Sequence, residues 1–158
     1  MNPDQATALR DILQTQQIAS LGTLHKGEPF VSMVPYAILP DGDGFVIHVS
    51  QLATHTKDML LNPGVSLLVI ALPNSEVPAQ ATARVTIQGQ ARLCADSTQG
   101  YAEAKTAYLS RFPQTAKMFS FADFSLFVIH PSSARFVGGF ARATTIAPEV
   151  LVNILCKR

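Results

Sequence analysis

Residues 45–63, FVIHVSQLATHTKDMLLNP, carry a strand across a polar corner into a helix. Phe45, Ile47 and Val49 alternate with Val46, His48 and Ser50, the period of two that marks a strand. Leu52 and Ala53 then lead to Thr54, a residue type suited to an N-cap, and Met59, Leu60 and Leu61 supply a helix's apolar positions. Asn62-Pro63-Gly64 ends that helix, because Pro63 disfavours helical geometry at Asn62 and Gly64 permits a sharp exit. The corner thus gathers Ser50, Gln51, Thr54, His55, Thr56 and Lys57 around a helix N-terminus. Unpaired amides and the positive end of the helix dipole attract anions there, and hydroxyls with one ammonium would complete a phosphate cradle. A capped surface helix with solvated side chains accounts for the same residues.

Working outward, Asp41-Gly42-Asp43-Gly44 is a hairpin signal that feeds the corner strand. Before it, Ile18 to His25 reads as a strand and Lys26-Gly27-Glu28 as a tight turn. Pro29 to Leu39 reads as a second strand, in which Pro35 marks an edge, a bulge or a point where a ligand replaces a ladder bond. Pro3 suits a first helical position after Asn2, and Ala8, Ile12 and Leu13 form an apolar stripe through about Gln16, expected to pack over the end of a sheet.

Beyond the corner, Val65 to Leu72 is nearly all apolar and predicts a strand buried on both faces. Pro73 to Pro78 is a loop. Ala79 to Leu93 predicts a long strand, with Ala83, Val85, Ile87, Gly89, Ala91 and Leu93 on one face and Arg84, Thr86, Gln88, Gln90 and Arg92 on the other. Asp96 to Phe112 predicts a helix, followed by a short helix or turn to about Phe121. Phe119, Phe121 and Phe124 read as core or interface filler. Phe124 to His130 and Ala134 to Val137 predict two final strands joined at Pro131-Ser132-Ser133, and Gly138-Gly139 leads to a loop bearing Phe140 and Arg142. The last dozen residues are too apolar for a free tail and should dock on this chain or a partner. Direct hairpin connections among six or seven strands imply an antiparallel barrel with helical embellishments.

Composition narrows the function. The chain has 158 residues, 47% of them hydrophobic, which suits one domain over residues 1–158 with a substantial core. A net charge of +1 argues against a general nucleic-acid binder. The apolar runs are too short to cross a bilayer, and residues 1–17 lack the apolar stretch of a signal peptide. Cys94 and Cys156 show no metal-ligand spacing and read as free thiols in a reducing cytoplasm. No trio of Asp, Glu, His or Cys has metal spacing, and no GxGxxG loop or Walker P-loop is present. His25, His48 and His130 read as structural histidines.

Four blocks carry a family resemblance: IASLGTLHKGEPFVSMVPYAI, HVSQLATHTKDMLLNPGVSLLV, ARVTIQGQA and SARFVGGFARA, spanning residues 18–143. Together they resemble the FMN-binding split-barrel family related to pyridoxamine 5'-phosphate oxidase, and most of all its haem-utilisation branch. The resemblance implies a mainly β fold, a six-stranded antiparallel split barrel with flanking helices, which dimerises with two FMN sites at the subunit interface. It places Val34, Pro35 and Tyr36 beneath the isoalloxazine, Ser50 and Gln51 near ribityl and phosphate, and His55, Thr56 and Lys57 at the phosphate. Pro35 has no N–H, so main-chain contacts there fall to Val34, Tyr36 or carbonyl groups. A phosphate dianion beside His55 would favour the protonated imidazole. Arg84 matches a position that reaches the flavin, and Phe140 and Arg142 match a loop that approaches it from the other subunit.

The chain also departs from that pattern. The segment GGFARATTIAPE lacks the Arg- and His-containing stretch by which pyridoxamine phosphate oxidases hold their substrate's phosphate. Haem-degrading relatives resemble one another in a C-terminal histidine that ligates iron, and no histidine here follows His130. The expectation is therefore a cytoplasmic, homodimeric FMN-binding flavoprotein, a flavin-dependent oxidoreductase of unknown substrate. There the flavin carries the redox chemistry, with Arg84 or Arg142 stabilising its reduced, anionic form. The alternatives are a haem-binding, haem-utilisation protein and a non-catalytic split-barrel binding module.

Overall fold

A two-residue turn at Lys26 and Gly27 sets the first hairpin. Both have positive φ, 52° and 82°, the pairing that matches the twist of two flanking strands. It joins β1 (Ile18–His25) to β2 (Glu28–Pro35) in full antiparallel register, from Ile18 opposite Pro35 to His25 opposite Glu28. The computed structural model describes residues 1–139 and 142–156. Pro35 ends β2, and after Tyr36 the chain resumes as β3 (Ala37–Ile38), which pairs with β4 (Phe45–Ser50) instead of β1. One run of chain thus belongs to both ends of the sheet, and this bend curls the sheet toward a barrel.

The remaining strands are β5 (Gly64–Ile70), β6 (Arg84–Cys94), β7 (Phe124–Val137) and β8 (Ala143–Ile146). Their order is β2-β1-β5-β6-β7-β4-β3, with β8 added to β7, and every described pairing is antiparallel. The sheet has eight strands, where six were expected. The extra two are short: Pro35 splits β3 from β2, and the Gly138-Gly139 turn folds β8 back onto β7.

The inward face carries Leu21, Val34, Ile47, Leu67, Val69, Val85, Ile87 and Phe136, all essentially inaccessible. α1 (Pro3–Thr15) closes one opening, its start held by a reciprocal pair of bonds between Asn2 and Gln5. Leu9, Ile12 and Leu13 are its buried stripe. α4 (Pro148–Cys156) docks beside it through Leu151, Ile154 and Leu155, and Arg10 Nε donates to the Ile154 carbonyl at 2.7 Å. The apolar final segment is therefore core.

A second cluster lies outside the curl, where α3 (Tyr101–Arg111) and a 3-10 helix (Pro113–Ser120) cover Val46, Leu126 and Val128.

Several elements differ from the sequence reading. β6 begins at Arg84 instead of Ala79, because residues 79–81 form a 3-10 turn. Its alternation holds through Ala91 and then changes phase: Leu93 is exposed and Cys94 joins the outer cluster. α3 begins at Tyr101, after a turn whose Gly100 has φ 92°. β5 buries only Val65, Leu67 and Val69, and leaves Ser66, Leu68 and Ile70 on an outer face. The two expected final strands are one, β7. Its register shifts opposite Gln88 and Gly89, so Ser132 is an extra residue and Pro131 is accommodated at a bulge.

Candidate functional site

The corner after β4 is built by α2 (Thr54–Leu61) lying across the β1–β2 hairpin. Thr54 is not its cap. Ala53 holds the N-cap position, and no side chain caps the helix. A methyl group cannot accept from the first-turn amides, so the end keeps its attraction for anions. Lys57 is exposed beside it, and His55 is half-buried with Nδ1 2.9 Å from Ser32 Oγ. Burial lowers the His55 pKa against the opposing pull of Asp58.

The other threonine of the corner is structural. Thr56 is buried and its hydroxyl donates to the Ser50 carbonyl at 2.6 Å, locking the helix to the strand it follows. Ser50 Oγ donates to Asp123 and accepts from the Leu52 amide, while Gln51 Nε2 donates to Ser125 Oγ at 3.1 Å. Ser50 and Gln51 thus tie the corner to the start of β7.

Asp58, one turn into α2, is the group that reading the sequence overlooked. The residue is 3% exposed, with Oδ2 accepting from Thr23 Oγ1 at 3.0 Å and Oδ1 2.8 Å from His25 Nδ1. Burial disfavours its charge. The bonds from His25 and Thr23 and the nearby imidazoles outweigh that and hold the carboxyl below its ordinary value. Its signal was spacing: Asp58 follows His55 by three residues, and both lie on the helix face that meets Thr23, His25 and Ser32.

The other expected residues are dispersed. Val34 and Tyr36 are buried in the core, so only their main chain can meet a ligand. The Tyr36 hydroxyl donates to the Leu13 carbonyl at 2.8 Å, and burial, against the nearby Arg111 charge, pushes its pKa up to about 12. Pro35 is half-buried opposite Ile18 at the sheet edge. Arg84 lies across the sheet beside Ile70 and Val137, its guanidinium donating to the Gln80 and Thr82 carbonyls. Arg142 is exposed just before β8. Phe140 lies outside the described residues. The chain brings together Ser50, Gln51, His55, Thr56 and Lys57, and leaves Arg84 and Arg142 elsewhere on the sheet.

His48 is buried beneath an aromatic lid. Its ring stacks on Phe119 at 3.9 Å between centroids, and Nδ1 is buried without a hydrogen-bond partner. Cys94 is buried and Cys156 exposed, both free. Among the described residues no helix is long and apolar enough to cross a membrane, and no group of three or more His, Cys, Asp or Glu is placed to hold a metal ion.

The profile of the pyridoxamine 5'-phosphate oxidase family matches residues 6–138, which includes every strand from β1 to β7. The chain belongs to this family. It is 36% identical over 138 residues to the protein named non-canonical heme oxygenase HOZ, chloroplastic, of Arabidopsis thaliana, a match covering 85% of this chain and 40% of that protein. It is 24% identical over 149 residues to heme oxygenase HutZ of Vibrio cholerae, covering 93% of this chain and 84% of HutZ. A solved structure described as a heme binding protein from Mycobacterium smegmatis superposes with a TM-score of 0.85 at 29% identity, over 97% of this chain and 62% of that one. The family chain thus spans well under half the length of HOZ and most of HutZ.

Proposed function

We propose that this protein binds haem and works in haem utilisation, in place of the flavin-dependent oxidoreductase that the sequence suggested. The observation that carries this reading is the 36% identity to HOZ across 85% of the chain, joined by HutZ and a solved structure that are also named for haem.

The site's chemistry suits that group. Haem is a flat apolar ring with two carboxylates. The uncapped end of α2, with Lys57 and His55 beside it, suits a carboxylate. Ile18, Val31, Met33 and Ile70, between 43% and 69% exposed, lie on the outer sheet face, on the other side of the hairpin from α2, where a second protomer instead of the ring would cover them. Bound haem would supply iron-centred redox chemistry, while the protein anchors the carboxylates and covers the ring.

That outer face also supports a homodimer. Ile18, Met33, Leu68, Ile70 and Leu72 rim a shallow depression of about 300 Å³, and a partner covering it would remove several large apolar side chains from water. Arg84 and Arg142 then belong to a cofactor site completed by two protomers. The unpaired Cys94 and Cys156 suit the reducing cytoplasm.

A second reading keeps FMN as the cofactor, and the uncapped corner favours it because a phosphate is the stronger anion. Absorption spectra decide between them. Addition of haemin should give a saturable, shifted Soret band, and added FMN should leave the flavin spectrum and fluorescence unchanged. The reverse result would return the flavin reading. A band that decays with a reductant under air marks degradation, and a persistent band marks storage.

A further inference from the structure

A cavity of about 390 Å³ lies on the outer side of the sheet, between β4, β6 and β7 and the 3-10 helix that follows α3. Its floor is set by register. His48 on β4 and Cys94 on β6 both stand opposite Leu126 on β7, so the three side chains share one face. Phe119, Phe121 and Tyr101 form its walls. The volume falls within the range of ligand pockets, roughly 300–1,000 Å³.

His48 is the group in this cavity that lacks a partner. The residue is 8% exposed, borders the cavity, and its buried Nδ1 has no hydrogen bond. A neutral imidazole has one donor and one acceptor nitrogen, and sealing either from both water and protein costs free energy. Three rings surround it, Phe119 at 3.9 Å, Phe124 at 5.1 Å and Tyr108 at 5.8 Å between centroids. The roof over it is loosely held. The 3-10 helix runs for eight residues with none buried, whereas such helices rarely exceed three or four residues because their bond geometry is poor. It can shift without exposing a fully buried side chain.

The lining selects the ligand. Aromatic walls suit a flat ring. Among the described residues the one charged group in the lining is Asp96, which disfavours an anion, and Lys105 over the Phe119 ring at 5.1 Å disfavours a cation. Burial, and after it the Lys105 charge, keeps His48 neutral at neutral pH. A hydroxyl both donates and accepts, so it serves Nδ1 in either tautomer.

We propose that this cavity binds a small uncharged aromatic molecule bearing one hydroxyl, which meets Nδ1 of His48 as the 3-10 helix shifts. Of the corner residues the cavity shares only Gln51, and the site is independent of the haem reading. The test is phenol titrated into the intact protein without haemin, followed by the ring-proton resonances of His48. Those resonances should shift and saturate. Toluene, which lacks the hydroxyl, and benzoate, which carries a charge, should each bind at least about fivefold more weakly. His48→Phe keeps a ring beneath Phe119, and calorimetry should show phenol binding weakened by a similar factor with toluene unaffected. A shift that never saturates, or toluene or benzoate binding as tightly as phenol to wild type, overturns the proposal whether or not the variant folds. Equal phenol affinity in folded His48→Phe overturns it too. None of these results touches haem binding, which the haemin titration reads separately.

Discussion

His48 shows at the scale of one residue what burial does to an imidazole. Desolvation, and after it the charge of Lys105, lowers its pKa to about 4 from 6.5. Between those values the unfolded chain takes up a proton that the folded chain refuses, so stability falls as pH is lowered through that window. Below about 4 this loss is complete. A ring-proton titration should therefore find a midpoint near 4, and His48→Phe should flatten the stability curve between pH 6.5 and 4; a midpoint near 6.5 would contradict the buried, neutral ring. Asp58 has a linkage of the same sign, in a more acidic window. Its folded pKa is depressed, so its contribution is present above the ordinary aspartate range and is lost as pH falls through the folded value. Asp58→Asn should destabilise the protein at neutral pH, and urea titrations should show the gap to wild type closing in acid. A gap independent of pH would mean that the carboxylate's charge is not what holds α2. Neither role was legible in the sequence, because His48 and His25 each look like ordinary strand histidines until the partner elements are placed. Local pattern cannot say that α2 brings Asp58 to His25, 33 residues away in the chain.

At the scale of elements, the bulge in β7 rests on Gly89. A Cβ there would lie 2.5 Å from the His130 carbonyl oxygen and 3.1 Å from Ile129 Cγ2, a clash with backbone that no rotamer relieves. Gly89→Ala should cost about 1–3 kcal/mol in denaturant unfolding. A stability equal to wild type would show that β6 and β7 can separate without loss. The same bulge explains where the sequence reading of this region stopped. Pro131 reads as a strand breaker, and only the register shift opposite Gln88 and Gly89 lets one strand continue through it. Strands β1, β4 and the hairpin signals between them were legible because alternation and turn residues agree over short spans. β5 was not, since Leu68 and Ile70 are apolar for the outer face and mimic a strand buried on both sides. The true N-cap escaped notice for a related reason: threonine is a good cap, but the strand end places Ala53 in that position.

For the whole molecule, the proposed dimer rests on that outer face. Met33 is 57% exposed and sits among Ile18, Leu68 and Ile70 on the outer side of the sheet. Met33→Asp should convert a dimer to a monomer in sedimentation velocity without changing the far-ultraviolet circular dichroism spectrum; a wild-type monomer would remove the shared-site reading of Arg84 and Arg142. The barrel itself was legible from hairpins and from the family blocks. The cofactor was not, because an uncapped helix end attracts any anion and does not distinguish a phosphate from a carboxylate.

The most direct test of the account is a haemin titration of wild type against Lys57→Glu. Reversing the one lysine of the α2 entry should weaken binding by at least about 1 kcal/mol, roughly fivefold, with the fold intact. Equal haemin affinity in the two proteins would contradict an anchor at that corner.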